Sequence, residues 1–155
     1  MGEFRVDIRP IAMTDKDQWR KLWTGYLEFY ESSVADEVYE TTFERILGDH
    51  VQGEVSFYEP RGLLALVDGR PVGLVHYFYH RHCWRQEHVC YLQDLYAAPE
   101  ARGTGVGRAL IEAVYAAADR DGCPNVYWMT QEFNATARTL YDRIATLTPF
   151  IKYSR

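Results

Sequence analysis

At 155 residues, 47% of them hydrophobic and 25% charged, the chain is long enough to bury a core and has the composition of a soluble globular protein. Its formal net charge of −5 argues against nucleic acid as a partner, because phosphate backbones attract basic surfaces. No apolar run is long enough to cross a membrane and the N-terminal segment MGEFRVDIRP lacks a secretory signal, so we expect a cytoplasmic protein with no membrane partner.

The first third of the chain predicts one strand and two helices. FRVDIRPI, from Phe4 to Ile11, alternates as a strand does. The segment MTDKDQWRKLWTGYLEFYESS begins with a helix start signal and carries apolar and aromatic residues at helical spacing: Trp19, Leu22, Trp23, Tyr26, Leu27 and Tyr30. TTFERILGDH predicts a second helix that ends at Gly48.

The middle of the chain predicts three strands. GLLALVDGRPVGLVHYFYHR contains two of them around the turn Asp68-Gly69, which is a strong hairpin signal. HVCYLQDLYA, rich in β-branched and aromatic residues, follows as the third.

The last third predicts two helices and two strands. After the connector APEARGTG, a helix presents one apolar face (Val106, Ala109, Leu110, Ala113, Val114 and Ala117) and stops at Gly122 and Pro124. NVYWMT is a predicted strand, NATARTLYDRI a helix capped by Asn134, and TPFIKYSR a closing strand. The whole order predicts one α/β domain over residues 1–155, with a mixed sheet and helices on its faces.

The stretch ARGTGVGRALIE places three glycines where a helix begins. Glycine lets the backbone come close to a ligand, and a helix N-terminus offers unpaired N–H groups, so the pattern suggests an anion such as a phosphate. Taken alone, such a loop is more often a plain turn. A dinucleotide site would need G-x-G-x-x-G early in the chain with an acidic ribose ligand after it, and a P-loop would need Gly-Lys-Ser/Thr. Here the glycines lie in the last third with the spacing G-x-G-x-G and no acidic ribose ligand follows on a second strand, which excludes the first. Gly107-Arg108-Ala109 does not match the second.

The segment from Arg102 to Gly107 resembles the acetyl-CoA-binding motif [R/Q]-x-x-G-x-[G/A] of the GNAT superfamily of N-acetyltransferases. LQDLYAAPEARGTGVGRALIEAV is similar to the family's strand, loop and helix, and NVYWMTQEFNATARTLYDR to its next strand and helix with the pattern N-x-x-A-x-x-x-Y. The aromatic helix WRKLWTGYLEFYE is similar to that of a subgroup with fungal histone and D-amino-acid acetyltransferases. The resemblance implies a GNAT fold, with six to seven strands and about four helices.

The resemblance also implies where acetyl-CoA binds as co-substrate. The pyrophosphate would rest on the backbone of Gly103, Thr104, Gly105, Val106 and Gly107, with charge from Arg102 and Arg108. The pantetheine arm would pair, as an extra strand does, with the backbone of Leu95, Tyr96 and Ala97. Asn134 would either reach the coenzyme or simply cap its helix.

The implied reaction is direct attack of an amine on the thioester. Tyr141 matches the family's tyrosine that faces the sulfur and donates a proton to the leaving thiolate; the alternative is a core residue. Polyamine acetyltransferases read LED where this chain reads LQD, and the amide of Gln93 cannot accept the proton of the amine, which puts a polyamine substrate in doubt. Asp94, Glu31 and Glu132 remain candidate bases, and Tyr30 joins Glu31, Gln93 and Asp94 as a candidate substrate contact.

Other interpretations are weaker. The segment HYFYHRHCWRQEHVC crowds histidines and cysteines, with His80 and His82 on one strand face, but such residues in an aromatic strand are more often packed or exposed than zinc ligands. There is no G-x-S-x-G elbow of a hydrolase. Three cysteines without a C-x-x-C pair indicate reduced thiols.

Two functional classes remain: an N-acetyltransferase acting on a small amine, an amino acid or a protein amine, and a non-catalytic acyl-CoA sensor. Tyr141 favours the enzyme. We expect a homodimer, because family members commonly pack or exchange a last strand such as TPFIKYSR.

Overall fold

The computed structural model describes residues 5–155, in which one five-stranded sheet carries helices on both faces. The strands lie in chain order: β1 (Asp7–Pro10), β2 (Arg61–Val67), β3 (Arg70–His80), β4 (Val89–Ala97) and β5 (Val126–Tyr127). The first four pair antiparallel, and β4 pairs with β5 in parallel. The α-helices are α1 (Lys16–Phe29), α2 (Asp36–Leu47), α3 (Val106–Arg120) and α4 (Ala135–Ile144).

Two apolar clusters cover the two faces of the sheet. Helices α1 and α2 pack on one face around the fully buried Trp19, and α3 packs on the other around Leu110 and Ile111. Successive residues of β2 alternate between the two clusters: Leu64 packs on the α1 side and Ala65 on the α3 side. Since successive side chains of a strand point to opposite faces, each central strand is buried on both sides.

The predicted hairpin is confirmed. Asp68 and Gly69 join β2 to β3 with φ angles of 51° and 73°. Two consecutive left-handed residues are what a two-residue type I′ turn requires, and its twist matches that of the flanking strands.

A bulge in β4 turns one side chain to the opposite face. His76 pairs with Asp94 and Tyr77 pairs with Leu92, so Gln93 is the extra residue. Leu92 belongs to the α3 side, and strict alternation would place Asp94 there as well. The inserted residue reverses the phase, so Asp94 lies beside His76 on the α1 side.

The expectation of six to seven strands is wrong: within residues 5–155 the sheet has five strands, and the predicted final strand is missing from it. Residues 145–155, which include TPFIKYSR, form no regular structure, and NVYWMT contributes only Val126–Tyr127 to the sheet. A strand needs a neighbour for its backbone hydrogen bonds, and the described chain provides none for this tail.

Helix α2 begins at Asp36, earlier than predicted. Phe4, where the first strand was predicted to start, lies outside the described residues. None of the helices within residues 5–155 has the length and apolarity to span a bilayer.

Candidate active site

The glycine-rich loop lies directly before α3. Gly103 and Gly105 have φ angles of 77° and 88°, and a Cβ placed on either would meet no atom within 4 Å. The first helical hydrogen bond runs from the Ala109 N–H to the Gly105 carbonyl, so the N–H groups before Ala109 are not consumed by the helix. Gly105 is the N-cap and has no side chain to satisfy them. The loop therefore leaves an uncapped helix N-terminus behind an open backbone surface, which suits a phosphate.

The pairing of β4 with the short strand β5 ends at Tyr91. The two strands pair only at Cys90–Val126 and Tyr91–Tyr127 within the described chain. On the other edge of β4, Leu95, Tyr96 and Ala97 pair with β3. Beyond Tyr91, this edge of β4 has no strand partner within residues 5–155, so its backbone could pair with an extended ligand.

The other predicted coenzyme contacts have partners of their own. The Arg102 Nε donates to the Ala97 carbonyl at 3.2 Å, and its guanidinium lies 5.7 Å from the Phe29 ring. Arg108 forms an exposed ion pair with Glu112 at 2.9 Å. Asn134 accepts from the Ala137 N–H, which makes it the N-cap of α4. The side-chain charges near the loop are thus engaged within the protein, whereas the backbone N–H groups before Ala109 are not engaged by the helix.

On the α1 side of the sheet, Asp94 is a buried carboxylate surrounded by tyrosines. Asp94 is 8% exposed, and its Oδ2 accepts a hydrogen bond from His76 Nδ1 at 2.8 Å. Burial, followed by the neighbouring Asp94 charge, raises the pKa values of Tyr26, Tyr30 and Tyr91. All three hydroxyls therefore keep their protons and can donate hydrogen bonds near this carboxylate.

The remaining predicted substrate-side residues lie elsewhere. Gln93 is exposed, because the bulge turns it away from Asp94. Glu31 and Glu132 are exposed as well, and Glu31 follows the end of α1 in a left-handed conformation with φ 54°. Of the three carboxylates weighed as bases, only Asp94 is buried.

Tyr141 lies on α4. Its half-buried ring packs edge-on against Trp128, with 5.4 Å between ring centroids. Burial, with a further contribution from the neighbouring Tyr30, raises the pKa of Tyr141 to about 12. Tyr30 is thus electrostatically coupled to both Asp94 and Tyr141.

The histidine- and cysteine-rich hairpin is divided among separate contacts. His80 Nε2 lies 2.8 Å from the Tyr127 hydroxyl, His88 Nε2 lies 3.0 Å from that of Tyr58, and His82 stacks edge-on with Trp84. Across residues 5–155, no three His, Cys, Asp or Glu side chains converge as a metal site would require.

Sequence reasoning did not assign His76, Tyr26 or Tyr91 to the site. The spacing of Tyr26 and Tyr30, one helical turn apart, was the available signal for a pair on one face of α1. No local signal could have found His76, since its contact with Asp94 depends on the pairing of two strands and on the bulge.

The fold, the glycine-rich loop before α3 and the strand edge of β4 that lies free beyond Tyr91 within residues 5–155 agree with the features expected of an acyl-CoA-dependent transferase. The sequence profile of the Acetyltransferase (GNAT) family matches residues 18–145, and the chain belongs to that family. It is an N-acetyltransferase, an enzyme that transfers an acetyl group to an amine.

The relatives agree with this assignment. The chain is 37% identical to the D-amino-acid N-acetyltransferase HPA3 of Saccharomyces cerevisiae, over 97% of this chain and 91% of that protein. It is 33% identical to the thialysine N-epsilon-acetyltransferase of Bos taurus, over 47% of this chain and 42% of that one. In fold it is similar to the aminoglycoside N-acetyltransferase AAC(6')-Iy in complex with CoA, with a TM-score of 0.79, 20% identity and coverage of 98% and 95%.

Proposed function

We propose that this enzyme acetylates the amino group of a small, amino-acid-sized molecule, with acetyl-CoA as donor, Asp94 as the group that receives the ammonium, and Tyr141 as the proton donor to the leaving sulfur. The observation that carries the proposal is the buried Asp94 carboxylate, which accepts a hydrogen bond from His76 and whose charge acts on the protonated hydroxyls of Tyr26, Tyr30 and Tyr91. An alkyl ammonium with a pKa near 10.4 binds such a carboxylate and also the faces of aromatic rings.

The acetyl-CoA part of the proposal depends on the backbone of the chain. The N–H groups from Gly103 to Arg108 would hold the pyrophosphate, and the opened edge of β4 at Leu95, Tyr96 and Ala97 would hold the pantetheine. Both features suit the coenzyme, because one offers donors to an anion and the other offers an unpaired strand edge to an amide-containing arm. Arg102 and Arg108 would add positive charge, and Asn134 would contribute from the start of α4.

The residues then handle two protons. The ammonium loses a proton to Asp94, and the neutral amine attacks the thioester carbonyl carbon directly. As the C–N bond forms, the C–S bond breaks and the leaving sulfur accepts a proton from the Tyr141 hydroxyl. The new amide nitrogen gives up its second proton, which restores the Tyr141 hydroxyl, and Asp94 releases the first proton to solvent. With a pKa raised to about 12, Tyr141 keeps its own proton throughout the neutral range.

The amino-acid class of acceptor is supported by the relatives, one of which is named as a D-amino-acid N-acetyltransferase. A panel of D- and L-amino acids, polyamines and lysine-containing peptides, assayed for thiol release from acetyl-CoA, tests it. We expect the free amino acids to give the highest kcat/KM. A clear preference for peptides or polyamines would contradict the acceptor class while leaving the acetyl transfer intact.

The role of Asp94 is tested by Asp94→Asn, which keeps the shape and can still accept from His76. Because the amide cannot take a proton, we expect kcat/KM for the amine to fall by about 10² to 10⁴. Glu31→Gln and Glu132→Gln are matched controls at exposed carboxylates and should leave the rate unchanged. If one of these controls carries the loss and Asp94→Asn does not, the base is assigned to the wrong carboxylate.

We also infer a homodimer in the cytoplasm. Phe150, Ile151 and Tyr153 are 77%, 76% and 89% exposed in the tail, an apolar segment that a second copy could cover. All three cysteines are free, which suits a reducing compartment. Light scattering should give twice the mass of the chain, and a variant ending at residue 146 should give the monomer. A monomer mass for the full chain at high concentration would contradict the dimer.

A further inference from the structure

A buried hydrogen-bonded pair lies behind Asp94 on the α1 side of the sheet. The Trp19 indole Nε1 donates to His76 Nε2 at 2.9 Å, and His76 Nδ1 lies 2.8 Å from Asp94 Oδ2. Trp19 is 0% exposed and His76 is 3% exposed, so no bulk water competes for these bonds. The series Trp19–His76–Asp94 therefore links α1 to β3 and β4 through side chains alone.

The chemistry of the indole decides the protonation of the imidazole. A tryptophan N–H can only donate, so His76 Nε2 must accept and cannot carry a proton. The proton of the neutral ring is then on Nδ1, which donates to Asp94 Oδ2. An imidazolium would place an N–H opposite the indole N–H, and both donors would lose their acceptor in a buried site.

The packing around Trp19 and His76 holds the imidazole ring in one orientation. The Trp19 ring stacks on Trp23 at 5.4 Å and lies 5.1 Å from Phe43, while the His76 ring lies edge-on to Trp23 at 5.4 Å. Gly62 on the neighbouring strand β2 lies opposite His76, and a Cβ placed on Gly62 would lie 3.4 Å from the imidazole. A close-packed ring cannot turn without moving its neighbours, so the donor direction of Nδ1 is fixed.

We propose that His76, oriented by Trp19, is a positioning residue for acetyl transfer: its Nδ1–H holds Asp94 Oδ2 and thereby leaves Oδ1 as the oxygen that receives the acceptor ammonium. The inference rests on the role proposed above for Asp94. It also excludes His76 as the base itself, since one ring nitrogen donates to Asp94 and the other is occupied by Trp19. The titratable groups that face Asp94 are His76 from β3, Tyr26 and Tyr30 from α1, and Tyr91 from β4 itself.

The first test compares His76→Leu with His76→Asn. Leucine removes the donor, whereas the asparagine Nδ2–H can replace the Nδ1–H towards Asp94. We expect His76→Leu to lower kcat by about 10- to 100-fold, as removal of a hydrogen-bond partner behind a functional ligand does, with the KM for acetyl-CoA unchanged. His76→Asn should recover most of the rate. A purely structural role would make both variants behave alike, in line with their loss of melting temperature.

The second test repeats His76→Leu in an Asp94→Asn background. If His76 acts through Asp94, the second substitution should cost less than about twofold in kcat, because the group that it positions has already lost its function. A full additional loss would overturn the inference. His76→Leu at near wild-type kcat, with Asp94→Asn impaired, would overturn it while leaving the role of Asp94 intact. An active Asp94→Asn would remove both.

A third measurement needs no variant. Long-range ¹⁵N–¹H correlation spectra of the wild-type protein report which ring nitrogen of His76 is protonated. We expect a neutral ring with the proton on Nδ1 at neutral pH. A proton on Nε2, or on both nitrogens, would overturn the inference even if the His76 variants failed to fold.

Discussion

The proposed coenzyme side and the proposed acceptor side of the site would recognise their ligands in different ways. The proposed coenzyme side is a continuous stretch, from Arg102 to Arg108, in which the backbone would supply the donors and the side chains have other partners. The acceptor side gathers side chains from α1, β3 and β4 around the buried Asp94. A backbone site serves one invariant ligand through a short local motif, whereas a side-chain site can be changed residue by residue to suit another acceptor.

The largest expected effect is on the backbone side. Gly105→Glu forces a side chain into a left-handed conformation with φ 88° and places a carboxylate where the phosphate would lie. We expect the affinity for coenzyme A, measured by calorimetry, to fall by about two orders of magnitude or more, since strain and charge repulsion add.

Gly53→Glu is the matched control for Gly105→Glu. Gly53 has φ 91° and equally open surroundings, but it lies in the turn before β2 and outside the loop. It should carry the same backbone strain and keep coenzyme affinity. Equal binding by the two variants, both folded by circular dichroism, would disprove the phosphate-loop assignment.

Tyr141→Phe tests whether the Tyr141 hydroxyl is the proton donor to the leaving sulfur. The variant keeps the ring that packs on Trp128 and deletes the hydroxyl, so coenzyme binding should persist while kcat falls by about 10² to 10⁴. Because its pKa is raised to about 12, the tyrosine stays protonated up to high pH. The ratio of wild-type to variant kcat should therefore be constant from about pH 7 to 10, where an unperturbed phenol would begin to ionise.

Steady-state rates at saturating acetyl-CoA across that pH range provide the measurement. A variant within about threefold of wild type, far from the range of a lost general acid, would make Tyr141 a core residue only. A ratio that shrinks as the pH approaches 10 would show instead that the wild-type hydroxyl ionises near its usual pKa.

The smallest effect is expected for the side chains of the coenzyme loop. Arg108 is exposed and paired with Glu112, and an exposed charge contributes about 0.2–1 kcal/mol, so Arg108→Ala should weaken coenzyme binding by at most about fivefold. The difference should decrease at high salt. Glu112→Gln, which releases Arg108, should retain or improve affinity. A much larger loss for Arg108→Ala would mean that side-chain charge, and not the backbone, dominates this side.

The local elements were predictable because their causes lie close together in the chain. Asp68-Gly69 specified its own hairpin through left-handed backbone angles, and Asn134 capped α4 with its own side chain. The sequence could not show that TPFIKYSR forms no strand within residues 5–155, because that outcome depends on whether a sheet edge is available to pair with it. A strand pattern shows that a segment suits a sheet and says nothing about which edge is available.

The sequence established the family, and it predicted the coenzyme loop and the acid Tyr141 from residues at fixed short spacing that a helix or turn places without help. Only the tertiary structure made a selection among the three candidate carboxylates, of which it buries Asp94 alone, and it brought His76 and Trp19 behind that residue. That selection depends on the single extra residue Gln93, which reverses the alternation of β4, and on the packing of α1 over β3. Strand register and helix packing are long-range properties, so the chemistry that depends on them appears only when the chain is folded.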